Sequence, residues 1–223
     1  MKRENVLIDL MDPARATLKG ILHLPEEPKA LVILVHSNDT DSANEHNTYV
    51  IQALNRRDMI VLSINLLTPV EAEVYQNRFN ASLLGDRLVS VTQWAMQQET
   101  MKSLPVGYYG DNTGAASALK AAAILDGHIK AIVSFNGHPE LARHALSKVT
   151  AAILLIAAEL DTQSVYLNQI AYDQLKTKRK MIIVKEATSA FEEIGVFEKA
   201  ADLAGNWLDE HLLWPLLSAE VKS

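Results

Sequence analysis

Two short runs, Leu31–Val35 and Ile60–Leu66, are apolar along nearly their whole length. A run that short with no polar face belongs in a strand covered on both sides. A helix lies between them, because Tyr49, Val50, Ala53 and Leu54 fall at helical spacing and Asn55-Arg56-Arg57-Asp58 closes the segment in polar residues. The alternation continues down the chain. Leu83, Leu84, Leu88, Val91, Trp94 and Ala95 mark a second helix ahead of a strand at Val106–Tyr109. Strands at Ala131–Asn136, Ala152–Ala158 and Met181–Val184 follow, separated by helical stretches around Leu141–Leu146 and Val165–Leu175, and a final helix runs through Phe197–His211. Asn5–Leu10 and Thr17–Leu24 read as an opening hairpin-like pair. Strands alternating with helices predict an α/β fold with a mostly parallel sheet and right-handed crossovers, and such sheets bind ligands at the carboxyl ends of their strands. The residues to read for chemistry therefore follow Val35, Tyr109, Ala158 and Val184.

No repeat, low-complexity linker or shift in composition divides the 223 residues, so residues 1–223 are expected to form a single domain, and 48% hydrophobic residues supply its core. The net charge of -6 speaks against a nucleic-acid partner, which needs a basic stripe. With no cysteine, the chain has no disulfide framework, thiolate nucleophile or zinc-thiolate site. The start Met1-Lys2-Arg3-Glu4-Asn5 lacks the apolar core of a signal peptide, and no apolar run approaches membrane-spanning length. The expectation is a cytoplasmic protein with no membrane partner.

After the strand Val106–Tyr109 comes Gly110-Asp111-Asn112-Thr113-Gly114. This is the frame of a G-x-S-x-G nucleophile elbow, in which a strand turns sharply into a helix and lifts one side chain above the corner. Asn112 holds the place of the serine. A carboxamide cannot be deprotonated to attack a carbonyl, so the frame predicts the geometry of an acyl-transfer enzyme without its nucleophile.

From about Leu31 to Leu212 the chain resembles an α/β-hydrolase of the dienelactone-hydrolase-like branch. The resemblance is carried by Leu31-Val32-Ile33-Leu34-Val35-His36, by Leu62-Ser63-Ile64-Asn65-Leu66-Leu67-Thr68-Pro69, and by Leu104-Pro105-Val106-Gly107-Tyr108-Tyr109-Gly110 running into Thr113-Gly114-Ala115-Ala116. It implies an eight-stranded, mostly parallel sheet with helices on both faces and no large lid. It also implies a triad in the order nucleophile, acid, histidine. The nucleophile's place falls on Asn112. The acid's place falls on Asp161, within Glu159-Leu160-Asp161-Thr162, and is still acidic. The histidine of a Gly-Ala-Thr-His-x-Phe-Glu-Glu segment is replaced by Ser189 in Glu186-Ala187-Thr188-Ser189-Ala190-Phe191-Glu192-Glu193. The oxyanion hole would take one N–H from Thr113 and one from Ser37 or Asn38. Ser37 stands where the family has glycine.

In a serine protease, loss of the serine or histidine alone costs roughly 10⁶-fold in turnover. The resemblance therefore implies a non-catalytic member that binds a small ligand or a protein partner through the residual cleft. The alternative is a hydrolase acting on small esters or lactones by an altered mechanism, through Asp111, Asp161 or a histidine outside the family position. Because Gly110 and Gly114 put Asn112 at the apex, Asp111 is expected to point elsewhere, as a solvated or helix-capping carboxylate. Asp161 with Thr162 equally suits a helix cap. His36, Asp39, Asp41 and His46 crowd one loop, but their spacing matches no metal motif, so no metal and no other cofactor is expected. His128, His138 and His211 lie away from the base position, with His138-Pro139 beginning a turn and His211 ending the last helix. Tyr166, Ile170 and Leu175 read as a core stripe, and the tail Leu212–Leu217 either folds back or forms an apolar patch.

Overall fold

The computed structural model describes residues 2–12, 14–36 and 45–214. Its strands in chain order are β1 (Lys2–Asp9), β2 (Thr17–Leu24), β3 (Ala30–His36), β4 (Met59–Asn65), β5 (Val106–Asp111), β6 (Ile129–Gly137), β7 (Ala152–Ala158) and β8 (Arg179–Val184). They form one eight-stranded sheet in the order β1-β2-β4-β3-β5-β6-β7-β8. The first two strands pair antiparallel from Lys2 opposite Leu24 to Asp9 opposite Thr17, and β2 meets β4 antiparallel. Every other pairing is parallel. The eight strands expected from the sequence are all present, with ends displaced by a few residues.

Among the described residues six α-helices accompany them: α1 (Glu45–Asn55), the short α2 (Pro69–Ala72), α3 (Ala81–Ala95), α4 (Asn112–Ile124), α5 (Thr162–Gln174) and α6 (Val196–Leu212). Two apolar layers follow from this arrangement. The first packs α3, α4 and α5 on one side of the sheet through residues such as Leu88, Leu119 and Ala171. The second packs α1 and α6 on the other through Leu54, Ala204 and Leu208. β3 and β7 are buried from end to end because both of their faces are covered. No described helix is long and apolar enough to cross a membrane.

Two local expectations are corrected. The stretch Leu141–Leu146 is not a helix but lies across two 3₁₀ turns, Pro139–Ala142 and Leu146–Lys148. Two short turns suffice to bury Ala142 and Leu146 under the α4 layer. In α5, Tyr166 is 66% exposed, and the buried face runs through Ser164, Asn168 and Ala171 to Leu175 just beyond the helix. Asn168 sets that rotation, because its Nδ2 donates to the Gly137 carbonyl at 3.1 Å and the Ser164 carbonyl at 2.9 Å. A buried amide with such partners outranks an aromatic ring that solvent tolerates. Of the expected tail, Leu212 and Leu213 are buried in the α6 layer, and residues 215–217 lie outside the described residues.

Asn55, part of the polar close of α1, is also buried, and its Nδ2 donates to the carbonyls of His23 and Met59. Arg87 is the largest fully buried side chain, 1% exposed. It lies on α3 and donates to the Leu66 carbonyl, to Asp12 after β1, and to both oxygens of Glu71. Glu71 in turn closes a capping box with Thr68 at the start of α2. One guanidinium thus joins the opening hairpin, the exit of β4 and α3.

Arg87→Ala is expected to lower stability by roughly 3 kcal/mol, since it strands two carboxylates in a largely dry site. Arg87 holds the Glu71 carboxyl down to about 2. The depressed value makes its contribution fully present above the ordinary carboxylate range, and that contribution is lost as pH falls toward 2. Urea unfolding of wild type at neutral pH and near pH 3 should differ by on the order of 1–2 kcal/mol through this group, with allowance for the solvent that reaches Glu71. In Arg87→Ala the difference should shrink.

Candidate functional site

β5 ends at Asp111 and α4 begins at Asn112 with no residue between them, so the chain reverses at one peptide unit. Asn112 has φ 42°, in the left-handed region, as the apex of such a turn requires. A Cβ on Gly110 would lie 2.6 Å from the carbonyl carbon of Gly114, and one on Gly114 would lie 2.8 Å from the carbonyl oxygen of Val35 in β3. Two glycines are what let β5, β3 and the first turn of α4 approach this closely. Ser117 Oγ donates to the Gly114 carbonyl at 2.7 Å. On the other side, Asn112 pairs with Gly137 at the end of β6, and its carbonyl accepts from the His138 N–H at 3.0 Å.

The apex opens into a cleft of about 170 Å³. Asn112 and Ser189 both line it, so two of the three positions that the resemblance assigns to a triad meet in one cleft. Asn136 Nδ2 donates to the Ser189 carbonyl at 3.0 Å and so ties the loop after β8 to the end of β6. Thr113 is buried beside Asn112 at the first turn of α4, where backbone N–H groups have no partner within the helix. Ser37 and Asn38, the other oxyanion candidates, lie outside the described residues. Asp161 is not among the described residues that line the cleft. Its Oδ1 accepts from the Ser164 N–H at 3.0 Å, so it caps α5.

Asp111 departs from expectation. It occupies the residue before α4 but makes no capping hydrogen bond, and it lines the cleft next to Asn112. The strand ends here before the helix begins, which leaves the residue ahead of the apex on the cleft side. Its carboxylate, together with burial as the larger cause, pushes the Tyr109 phenol well above its ordinary value.

Several cleft residues escaped the sequence reading. His46 and Asn47, from the start of α1, line the cleft, although His46 had been weighed only as a metal ligand. Among the described residues no cluster of three histidine, aspartate or glutamate side chains is placed to hold a metal ion. Phe135, Asn136, Phe191 and Phe197 also line the cleft. Extending the argument from strand exits to β6 would have found Phe135 and Asn136, which close that strand. Phe191 and Phe197 carry no comparable signal in the sequence, since nothing in it separates an aromatic of the cleft wall from one of the core.

Two other histidines are accounted for. His36 is buried, which pushes its ring down to about 4, and Nε2 shares a 2.9 Å hydrogen bond with Ser63 Oγ. His138 precedes the 3₁₀ turn at Pro139, and Glu140 raises its ring above the ordinary value by a hydrogen bond and by charge, with Asp161 adding charge. The acid position thus has a histidine neighbour, but His138 is not among the described residues lining the cleft.

No protein-family model matches the chain. It is similar to a dienelactone hydrolase of Anabaena variabilis, with 33% identity and a TM-score of 0.88 over 95% of this chain and 98% of that one. An esterase domain from Rhodothermus marinus superposes with a TM-score of 0.75 over 95% of this chain and all of that one; at 13% identity this likeness concerns the fold alone. Two Mycobacterium tuberculosis proteins that carry the provisional name phosphoribosyl transferase are 39% identical over 196 residues, 88% of this chain and 44% of theirs. The chain spans less than half the length of these curated relatives.

The close approach at the elbow sets an expected cost. Gly110→Ala and Gly114→Ala should each lose roughly 2 kcal/mol or more in urea unfolding, because the added methyl meets backbone that no side-chain rotation can clear.

Proposed function

The chain belongs to the dienelactone-hydrolase-like branch of the α/β-hydrolases, and from that membership we propose that its cleft binds a small ester- or lactone-like carbonyl compound without turning it over. The observation that carries this reading is that Asn112 stands at the elbow apex with Ser189 in the same cleft. The apex side chain has no ionisable hydrogen to lose, and a serine in the base position cannot accept a proton at ordinary pH. Both side chains donate and accept hydrogen bonds, and the buried first turn of α4 directs N–H groups toward a polarised oxygen. The pair therefore suits holding a carbonyl group.

The phosphoribosyl transferase name of the mycobacterial proteins is not carried over, because more than half of each lies outside the match. A second reading is hydrolysis by an altered mechanism. One observation favours it: the imidazole of His46 lines the cleft from α1, where the family's base does not stand. In that reading His46 would draw a proton from water attacking the bound carbonyl.

Turnover of 4-nitrophenyl acetate separates the two. Wild type and Asn112→Ala should both remain at the buffer rate, whereas the double change Asn112→Ser with Ser189→His should rise at least about tenfold above them, since part of a serine hydrolase's rate survives in its geometry alone. Wild-type turnover lost in His46→Ala would instead establish the second reading.

A further inference from the structure

β8 closes the strand order, and among the described residues no strand or bridge pairs along its outer side. Its bonds run inward to β7, where the Lys178 carbonyl accepts from the Ile153 N–H at 2.9 Å and the Val184 carbonyl from the Glu159 N–H at 3.0 Å. A parallel ladder uses alternate residues, so Arg179, Met181 and Ile183 turn their N–H and carbonyl groups to the open side. The helices cover the faces of the strand and not its edge. Met181 packs in the α5 layer and Ile182 and Val184 in the α6 layer, whereas Ile183 is 45% exposed.

The charge of this edge is one-signed. Residues 176–185 carry Lys176, Lys178, Arg179, Lys180 and Lys185 and no aspartate or glutamate, in a chain whose net charge is -6. Among the described residues only Lys178 of these forms an ion pair, with Glu210 at 2.9 Å. The Arg179 guanidinium lies 4.7 Å from the centre of the Tyr172 ring, and its buried Nε has no hydrogen-bond partner. β1, at the other edge, mixes Lys2 and Arg3 with Glu4 and Asp9. The cations of β8 also frame an apolar centre, since Lys178, Arg179 and Lys180 precede Met181–Val184 and Lys185 follows it.

We propose that the open edge of β8 is a docking site for an extended acidic segment of another protein, which adds to the sheet as a ninth strand. Main-chain hydrogen bonds to Arg179, Met181 and Ile183 supply the binding, and carboxylates beside Lys180, Lys185 and the Arg179 guanidinium select the partner. Lysines on an edge strand also deter pairing with its own kind. A second copy of β8 brings the same cations to the joint and no anion, so the charge that repels it attracts an acidic strand.

The probe is the peptide acetyl-Glu-Glu-Thr-Val-Thr-Glu-Glu-amide, whose acidic ends and β-branched centre match the edge in either chain direction. The control, acetyl-Glu-Glu-Thr-Pro-Thr-Glu-Glu-amide, keeps the charge and removes the central N–H. NMR titration of the full chain at about 0.02 M salt should show the probe binding at least about tenfold more tightly than the control, with the Arg179, Met181 and Ile183 amides shifted. Lys180→Glu combined with Lys185→Glu should weaken the probe at least about tenfold and leave the urea midpoint little changed, because both side chains are exposed. Equal binding of the two peptides marks a charged surface without strand addition and overturns the proposal. Absence of probe binding overturns it as well and leaves the lysines as guards of the edge. A dimer in sedimentation that closes β8 against a second copy does the same.

Discussion

The approach of β5 to the first turn of α4 is the contact on which the site depends. At Gly114 the helix backbone lies against the Val35 carbonyl of β3, and at Gly110 the strand lies against the helix it is about to enter. Because β3 and β5 are adjacent and parallel, this crowding holds one residue, Asn112, above the carboxyl edge of the sheet. Everything that lines the cleft is placed relative to that point. β6 supplies Phe135 and Asn136 beside it, and the loop after β8 reaches back to be caught by Asn136.

Support for the apex comes from below as well. Asn168, fully buried in α5, holds the Gly137 carbonyl, and Gly137 pairs with Asn112. A polar side chain in the interior is stabilising only when its partners are fixed, and here the partner is the strand end that braces the elbow. This explains why α5 turns Asn168 inward and Tyr166 outward. Arg87 plays the comparable part in the same layer toward the β1 edge of the sheet, where one guanidinium satisfies groups that follow β1 and β4 and one in α2.

Much of this was legible in the chain. Apolar runs such as Leu31–Val35 can only be strands covered twice, and the elbow glycines announce the apex, so the sheet, its order of elements and the position of Asn112 could be read directly. The limits are equally physical. Asp111 was read as pointing away because the apex argument treats one side chain at a time, whereas the residue before the apex shares the same edge. The face of α5 was misread because hydrophobic periodicity ranks Tyr166 above Asn168, and only tertiary partners reverse that order. The aromatic wall was invisible because Phe135, Phe191 and Phe197 meet through three separate segments of chain.

The identity of the apex residue has a physical logic of its own. A left-handed backbone is costly for most side chains but much less so for asparagine, whose short amide tolerates that region. A serine at φ near 42° would hold more strain, which an enzyme keeps because an exposed nucleophile needs it. Asparagine at this point keeps the turn, relieves part of the strain and removes the nucleophile in one change. On the proposed reading, with Ser189 in the base position, nothing in acyl-transfer chemistry opposes that relaxation, while the glycines, the Ser117 hydroxyl and the Asn168 amide still require the turn itself. On that reading the turn persists for the sake of the fold, and neutral hydrogen-bonding groups with one carboxylate line the cleft it holds open.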